Sequence, residues 1–258
     1  MASPSPMQMF VDRLDRRSGL TGEEADALLS LRGHLSVARA NVDIVSPGTL
    51  TVNASLVVDG LAGRFGQVVN GQRQITGLYS SGDMCDLHSL VTPTAGWAFQ
   101  ALSPTTILKI AHADLKAVAD AYPRIAEAFW RDCSVDASVT SQWVVNVGRR
   151  DSSSRLAHLL CEMGVRYEDA GSGMRTAYSL PATQTQIGDA LGLTSVHVNR
   201  MMRMLRDLGL ATARKHQVTV QDWDGLARRG DFDEDYLQIG TFRDGNLATS
   251  RAGATAPL

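Results

Sequence analysis

Residues 183–210, TQTQIGDALGLTSVHVNRMMRMLRDLGL, decide the reading of this chain. Thr183 followed three residues later by Gln186 is a capping-box pattern, so a helix is expected from there through Leu191. Ile187, Ala190 and Leu191 give that helix one apolar side, and Gly192 supplies the left-handed backbone that stops it. Thr194 can cap a second helix after a turn of two or three residues, which is helix-turn-helix spacing. In the second helix Val198, Met201, Met202 and Leu205 form an inward stripe, leaving Ser195, Val196, His197, Asn199, Arg200 and Arg203 on the other surfaces. Those residue types suit a DNA duplex. Arg200 can donate two hydrogen bonds to guanine, Ser195 and His197 can reach base edges, Val196 can touch a thymine methyl, and Asn199 or Arg203 can hold phosphate. Thr183 and Thr194, at the two helix starts, complete the candidate surface. An ordinary αα-hairpin with a solvated basic face has the same apolar spacing. Weighing against it is ATARKHQVTV (211–220), which reads as a hairpin in the position of a wing, with Arg214, Lys215 and His216 placed for backbone contacts.

Charge along the chain agrees with that reading. The whole sequence carries a formal −2, yet residues 149–215 hold ten basic and six acidic side chains, and they form the positive part of an otherwise acidic chain. A local basic field of this kind is the electrostatic footprint of a nucleic-acid contact, although it also fits a solvated face. At 258 residues with 44% hydrophobic and 20% charged side chains, two globular domains joined by a linking element are expected. Cys85, Cys133 and Cys161 form no CxxC pair and no even framework, which points to a reducing compartment. The start, MASPSPMQMF, lacks the basic leader and apolar run of a signal peptide, and no window reaches 18 uninterrupted apolar residues. The cytoplasm and no membrane contact are the expectation.

Working outward, residues 1–35 read as two short helices, MQMFVDRLDRR and TGEEADALLSL, the second started by Thr21 ahead of Glu23 and Glu24. From 36 to 122 short apolar runs (SLVVDG, LAGRFGQVV, RQITGLY, GWAFQAL, TTILKI) alternate with Gly, Pro, Asn and Asp, the punctuation of an all-β unit closed by the short helix HADLKAVADAY. Asn70-Gly71 suits a two-residue hairpin turn. Residues 123–150 hold one helix of about 26 residues, spanning about 39 Å, and its hinge at Gly148 to Asp151. Ile125, Phe129, Cys133, Asp136, Thr140, Trp143 and Val147 recur on it at spacings of four and three. That seam predicts a partner helix, because a single roll offers little surface to cover such a length. A fresh cap at Asp151 opens a domain from 151 to 240, in which Leu156, Leu159, Leu160 and Met163 face inward. The small, polar residues 241–258 read as a disordered tail.

The order of β-rich unit, long helix, capped restart, helix-turn-helix and wing resembles the Crp/Fnr family of bacterial transcription regulators over residues 35–235. The resemblance rests on QITGLYSSGDMCDLHSL, NVGRRDSSSRLAHLLCE and TQIGDALGLTSVHVNRMMRMLRDLGL. It implies an α+β chain with an antiparallel β-roll of the cyclic-nucleotide-binding-like jelly-roll type, a long dimerisation helix and a C-terminal winged helix-turn-helix. It also implies a homodimer on a two-fold symmetric DNA site, regulation of transcription with RNA polymerase as a partner, and a small-molecule or redox signal. The dimer interface it implies uses Ile125, Phe129, Cys133, Thr140, Trp143 and Val147.

At the effector site the sequence departs from the cyclic-AMP-binding pattern. GDMCDLHSLVTPTAGWAFQAL keeps the turn at Gly82-Asp83 but has no Glu at the ribose position and no Arg near Ala95-Gly96-Trp97, so a cyclic phosphate would lack its guanidinium. Thr140 and Ser141 stand where such members contact adenine. Residues 1–84 contain no cysteine, which removes the usual iron–sulfur centre. Cys85 and His88 lie where haem-binding members take a ligand, so a haem or thiol redox sensor is the alternative, beside a reading of both as packing residues. No cofactor or metal ligand set is assigned. No Walker loop, HExxH, dinucleotide fingerprint or nucleophile elbow is present, so no catalytic residue is expected and the chain reads as a non-enzyme.

Overall fold

The computed structural model describes residues 6–240, so the tail read at 241–258 lies outside the described residues. Helix α1 (Pro6–Ser18) leads to α2 (Gly22–Leu29), which opens on a full capping box: the Glu24 N–H donates to Thr21 Oγ1 and the Thr21 N–H to Glu24 Oε2. Seven antiparallel strands follow: β1 (Gly33–Ala38), β2 (Asp43–Val45), β3 (Asn53–Asp59), β4 (Ala62–Gln67), β5 (Arg73–Tyr79), β6 (Ala98–Ala101) and β7 (Thr105–Ala111). They form two sheets, β1-β7-β3 and β2-β6-β4-β5. Val45, Val57, Tyr79, Phe99 and Ile107 pack together in the roll, while Leu56, Leu108 and Ile110 meet Phe10, Val11 and Leu14 of α1.

The sequence pattern missed β1 and β2. Strand β1 crosses the expected boundary between residues 35 and 36, and Leu35 and Val37 on it are exposed, so it lacks the in-out alternation by which a strand is read. The hairpin at Asn70-Gly71 also differs from expectation. Of the two, only Gly71 has a positive φ (+86°), and its N–H returns to the Val68 carbonyl at 2.8 Å. The connection is therefore a tight turn followed by a left-handed glycine, which needs one residue more than a two-residue loop.

Helix α3 (His112–Ala121) ends at Tyr122, and Pro123 starts α4 (Pro123–Arg149). Three residues of the seam expected to face a partner, Ile125, Phe129 and Trp143, are instead covered by the chain itself. Ile125 and Phe129 are buried against α1, with the Phe10 and Phe129 rings 6.3 Å apart, and Trp143 is buried against the next helix, where its indole N–H donates to Glu162. Cys133, Thr140 and Val147 are half-buried on the same side. The N-terminal helices supply the cover that a roll alone lacks. Instead, the exposed side of α4 carries Trp130, Ser134, Ala137, Ser141, Val144 and Gly148, again at threes and fours.

The break falls one or two residues after the predicted stop: Gly148 stays helical and Arg150 is extended. Asp151 then caps α5 (Ser152–Asp169), accepting from the Ser153 and Ser154 N–H groups, and the Ser154 bond leads in holding its carboxyl down at about 2. Leu156, Leu159, Leu160 and Met163 are buried as expected. The remaining elements are β8 (Ala177–Ser179), α6 (Gln184–Leu191), α7 (Ser195–Asp207), β9 (Ala211–Arg214), β10 (Gln217–Val220) and α8 (Trp223–Gly230), with sheet order β8-β10-β9. Helix α6 is docked on the roll. Arg73 pairs with Asp189 at 2.9 Å, Gln74 donates to the Ala190 carbonyl, and Gln186 donates to the Leu102 carbonyl.

Candidate functional site

The helix-turn-helix is built by local chemistry at three points. Thr183 Oγ1 accepts from the Gln186 N–H while Gln186 Oε1 accepts from the Thr183 N–H, closing both orphan donors at the start of α6. Gly192 takes φ +64°, and a Cβ on Gly188 would come within 2.4 Å of the Leu193 carbonyl oxygen, so both glycines are needed for the turn. Thr194 then caps α7 by accepting from the His197 N–H. Val198, Met201 and Leu205 are buried beneath α7 and Met202 is half-buried, which fixes the helix by one stripe. On the opposite side Val196 is 77% exposed, His197, Asn199, Arg200 and Arg203 are exposed, and Ser195 is half-buried at the first turn. Thr183, Thr194 and Lys215 are exposed beside them.

Strands β9 and β10 pair Arg214 with Gln217 across a two-residue turn, Lys215-His216, in which both residues have positive φ (49° and 68°). Non-glycine residues pay about 1–2 kcal/mol each for that conformation. The strained tip carries Lys215 and His216, both exposed. Together with Gln184, Asn199, Arg203, Arg206 and Arg214 they line a groove of about 430 Å³ between α6, α7 and the wing. Exchanging Lys215-His216 for Asn-Gly is expected to raise the melting temperature through about 1–2 kcal/mol of relieved strain. An unchanged melting curve would contradict the strain assigned to this turn.

A second concavity, about 490 Å³, lies between the roll and α4. Arg64 of β4 and Asp136 of α4 meet in it at 2.6 Å. Arg64 also donates to Thr140 Oγ1 at 2.6 Å and Thr76 Oγ1 at 3.2 Å, and its guanidinium lies 5.4 Å from the Trp97 ring centre. Tyr79 donates its hydroxyl to the other Asp136 oxygen at 2.8 Å. His88 stands 5.3 Å from Trp97, ring to ring, and burial pushes its imidazole pKa down toward the neutral form.

Comparison with known proteins matches both halves. The pattern of the Crp-like helix-turn-helix domain covers residues 154–229. The chain is 24% identical over 157 residues to the "Anaerobic regulatory protein" of Haemophilus influenzae and 27% identical to the "Transcriptional regulatory protein btr" of Bordetella pertussis. Each match covers 61% of this chain. It spans 61% and 64% of the lengths of those curated relatives. FixK2 of Bradyrhizobium japonicum superposes with a TM-score of 0.70 at 22% identity, over 77% of this chain and 97% of that one. Residues 154–229 carry a Crp-like helix-turn-helix domain, and the chain is similar in sequence and fold to Crp/Fnr-type regulators.

Within this Crp/Fnr-like fold the expected effector residues divide. Cys85, His88 and Thr140 line the roll cavity. Gly82 and Asp83 do not: Asp83 turns the other way, pairing with Arg13 of α1 and with Arg166 of α5 at 3.0 Å. Ser141 is exposed, donates to the Ala137 carbonyl and stands on the outer stripe of α4. Arg64, Thr76, Trp97 and Asp136 were not among the expected effector residues. The missing signal was a pair of misfits, a lone Arg inside the strand LAGRFGQ and a lone Asp inside the apolar seam of α4, each answering the other. The same Arg64 supplies in space the guanidinium that the sequence lacks near Ala95-Gly96-Trp97.

Of the two residues expected at a haem or thiol site, Cys85 does not fit that chemistry. Cys85 packs in the roll core, and burial, followed by the charges of Asp86, Asp83 and Asp136, pushes its thiol well above the ordinary value. A ligating or reactive sulfur must be a thiolate, and here three carboxylates oppose one. Cys161 and Cys133 are likewise held as thiols, each pushed up to about 12 with burial the leading cause.

Proposed function

We propose that this Crp/Fnr-like chain is a sequence-specific DNA-binding transcription regulator that acts as a homodimer on a two-fold symmetric site. The observation that carries the reading is the division of α7, with Val198, Met201 and Leu205 buried and Val196, His197, Asn199 and Arg200 exposed at the end that would enter a major groove. The strained wing tip and the groove beside it add phosphate contacts. Duplex DNA and RNA polymerase are its partners, the cytoplasm its place of action, and regulation without catalysis its role. The roll cavity is its effector site. No helix among the described residues is long and apolar enough to cross a membrane.

Binding measured by fluorescence anisotropy against salt tests the interface. Each phosphate contact contributes about 0.9 to the slope of log affinity against log salt, so Lys215→Ala, which removes one contact from each protomer, is expected to lower the slope by about two and leave base preference intact. An unchanged slope would remove the wing from the interface.

Dimerisation in this reading uses the outer stripe of α4, where Trp130 and Val144 are about two-thirds exposed. Trp130→Glu is expected to give folded monomers in sedimentation, because it introduces a charge at the seam without touching the chain's own core. A charged residue at Phe129 should instead unfold the α1–α4 contact. A Trp130→Glu protein that still sediments as a dimer would place the seam elsewhere.

A further inference from the structure

We propose that the roll cavity takes a small aromatic monocarboxylate, and that Asp136 acts as a built-in competitor which the ligand displaces from Arg64. The proposal rests on the reading of this cavity as an effector site and names its ligand class.

Arg64 is the one guanidinium lining the cavity, and its side chain is almost fully buried. Four of its five N–H groups are engaged by Asp136, Thr140 and Thr76, and one NH1 hydrogen has no partner among the described residues. Asp136, by contrast, keeps a third of its side chain exposed to the cavity and is anchored separately by the Tyr79 hydroxyl. A carboxylate arriving from solvent therefore finds a guanidinium already set in a carboxylate-binding geometry. The present occupant can yield and still keep a hydrogen bond. The second acidic side chain of the wall, Asp132, is committed to Arg13 and Arg17 at 3.1 and 2.9 Å.

Charge selects a monoanion. Arg64 is the one cation of the wall free to exchange partners, and the nearby His88 is held toward neutral, so the site offers one positive charge and would leave the second charge of a phosphate dianion unpaired beside Asp136. The rest of the wall selects a ring. Trp97 is 39% exposed with His88 tilted against it, and Met84 and Leu87 complete an apolar side. The exchange also has a mechanical consequence, because Arg64–Asp136 is a tie between strand β4 and the long helix α4. Ligand binding breaks that ion pair and leaves α4 held at this point by the Tyr79–Asp136 and Arg64–Thr140 hydrogen bonds.

The test is calorimetric titration of the full chain with benzoate, phenylacetate and indole-3-acetate, each beside its neutral amide, and with inorganic phosphate. Carboxylates should bind at least roughly tenfold tighter than their amides, and phosphate should not bind. Asp136→Asn should tighten carboxylate binding by roughly tenfold and Arg64→Met should abolish it. Should the Asn variant fail to fold, the carboxylate–amide comparison on the unaltered chain decides alone. Equal binding of acids and amides, no carboxylate binding at millimolar concentration, or weaker binding by a folded Asp136→Asn protein would overturn the proposal. The same preparations are titrated with a duplex DNA pool without ligand. Retained DNA binding with no carboxylate preference refutes the ligand class only, whereas a folded chain that ignores DNA refutes the regulator reading.

Discussion

Replacing Asp83 with alanine is expected to remove about 3–5 kcal/mol of stability, the largest single effect outside the apolar core. Asp83 sits in the Gly82 turn of the roll and holds two guanidiniums from different parts of the chain, Arg13 of α1 and Arg166 of α5, while also accepting from the Ser80 N–H at 2.7 Å. All three charged side chains are nearly buried. Arg166 reaches on to Glu162, which takes the Trp143 indole N–H, so the cluster joins the N-terminal helices, the roll, the long helix and the DNA-binding half. Removing the shared carboxylate leaves two buried cations facing each other. Burial pushes the Asp83 carboxyl up, but Arg166 and Arg13 outweigh it and hold the folded value below its ordinary 3.8. A depressed carboxyl contributes stability that is present above the unfolded value and lost as pH falls through the folded one. The alanine protein should therefore melt lower at neutral pH and lose part of the acid sensitivity expected of the parent below about pH 4. Equal melting temperatures at pH 7 would contradict this account of how the halves are joined.

Arg200→Ala is expected to cost about 1–3 kcal/mol per half-site, five- to over a hundredfold in affinity for each, and to relax base choice at one position of each half-site. Arg200 lies on the second turn of α7, exposed, one residue from Asn199 and directly opposite the buried stripe. Its guanidinium can present two parallel donors to guanine O6 and N7, and no other side chain on that turn can do so. The free protein should be unaffected in stability, since the residue packs on nothing. A loss equal on all sequences would reassign Arg200 to phosphate.

The DNA-binding half was the more legible part because its signals are local. Thr183, Gln186, Gly192 and Thr194 act on backbone within three residues of themselves, and Val198, Met201 and Leu205 repeat at helical period. The α4 seam misled for a non-local reason. Spacing says that Ile125 and Phe129 share a side, but whether α1 or a second chain covers them depends on how distant segments pack. The cavity was half legible for a similar reason: Cys85, His88 and Thr140 lie on runs that the pattern resolves, whereas Arg64 and Asp136 acquire meaning only once β4 and α4 meet. Strand β8 and the exposed β1 lacked periodicity altogether.

The central claim is that the exposed side of α7 reads a duplex twice, once from each protomer. Selection of bound sequences from a random duplex pool by the purified chain tests it most directly. Two α7 helices related by a two-fold axis should enrich an inverted repeat whose half-sites are centred about one helical turn apart, roughly 34–36 Å. Recovery of the starting pool without enrichment, or of a single unpaired half-site, would contradict it.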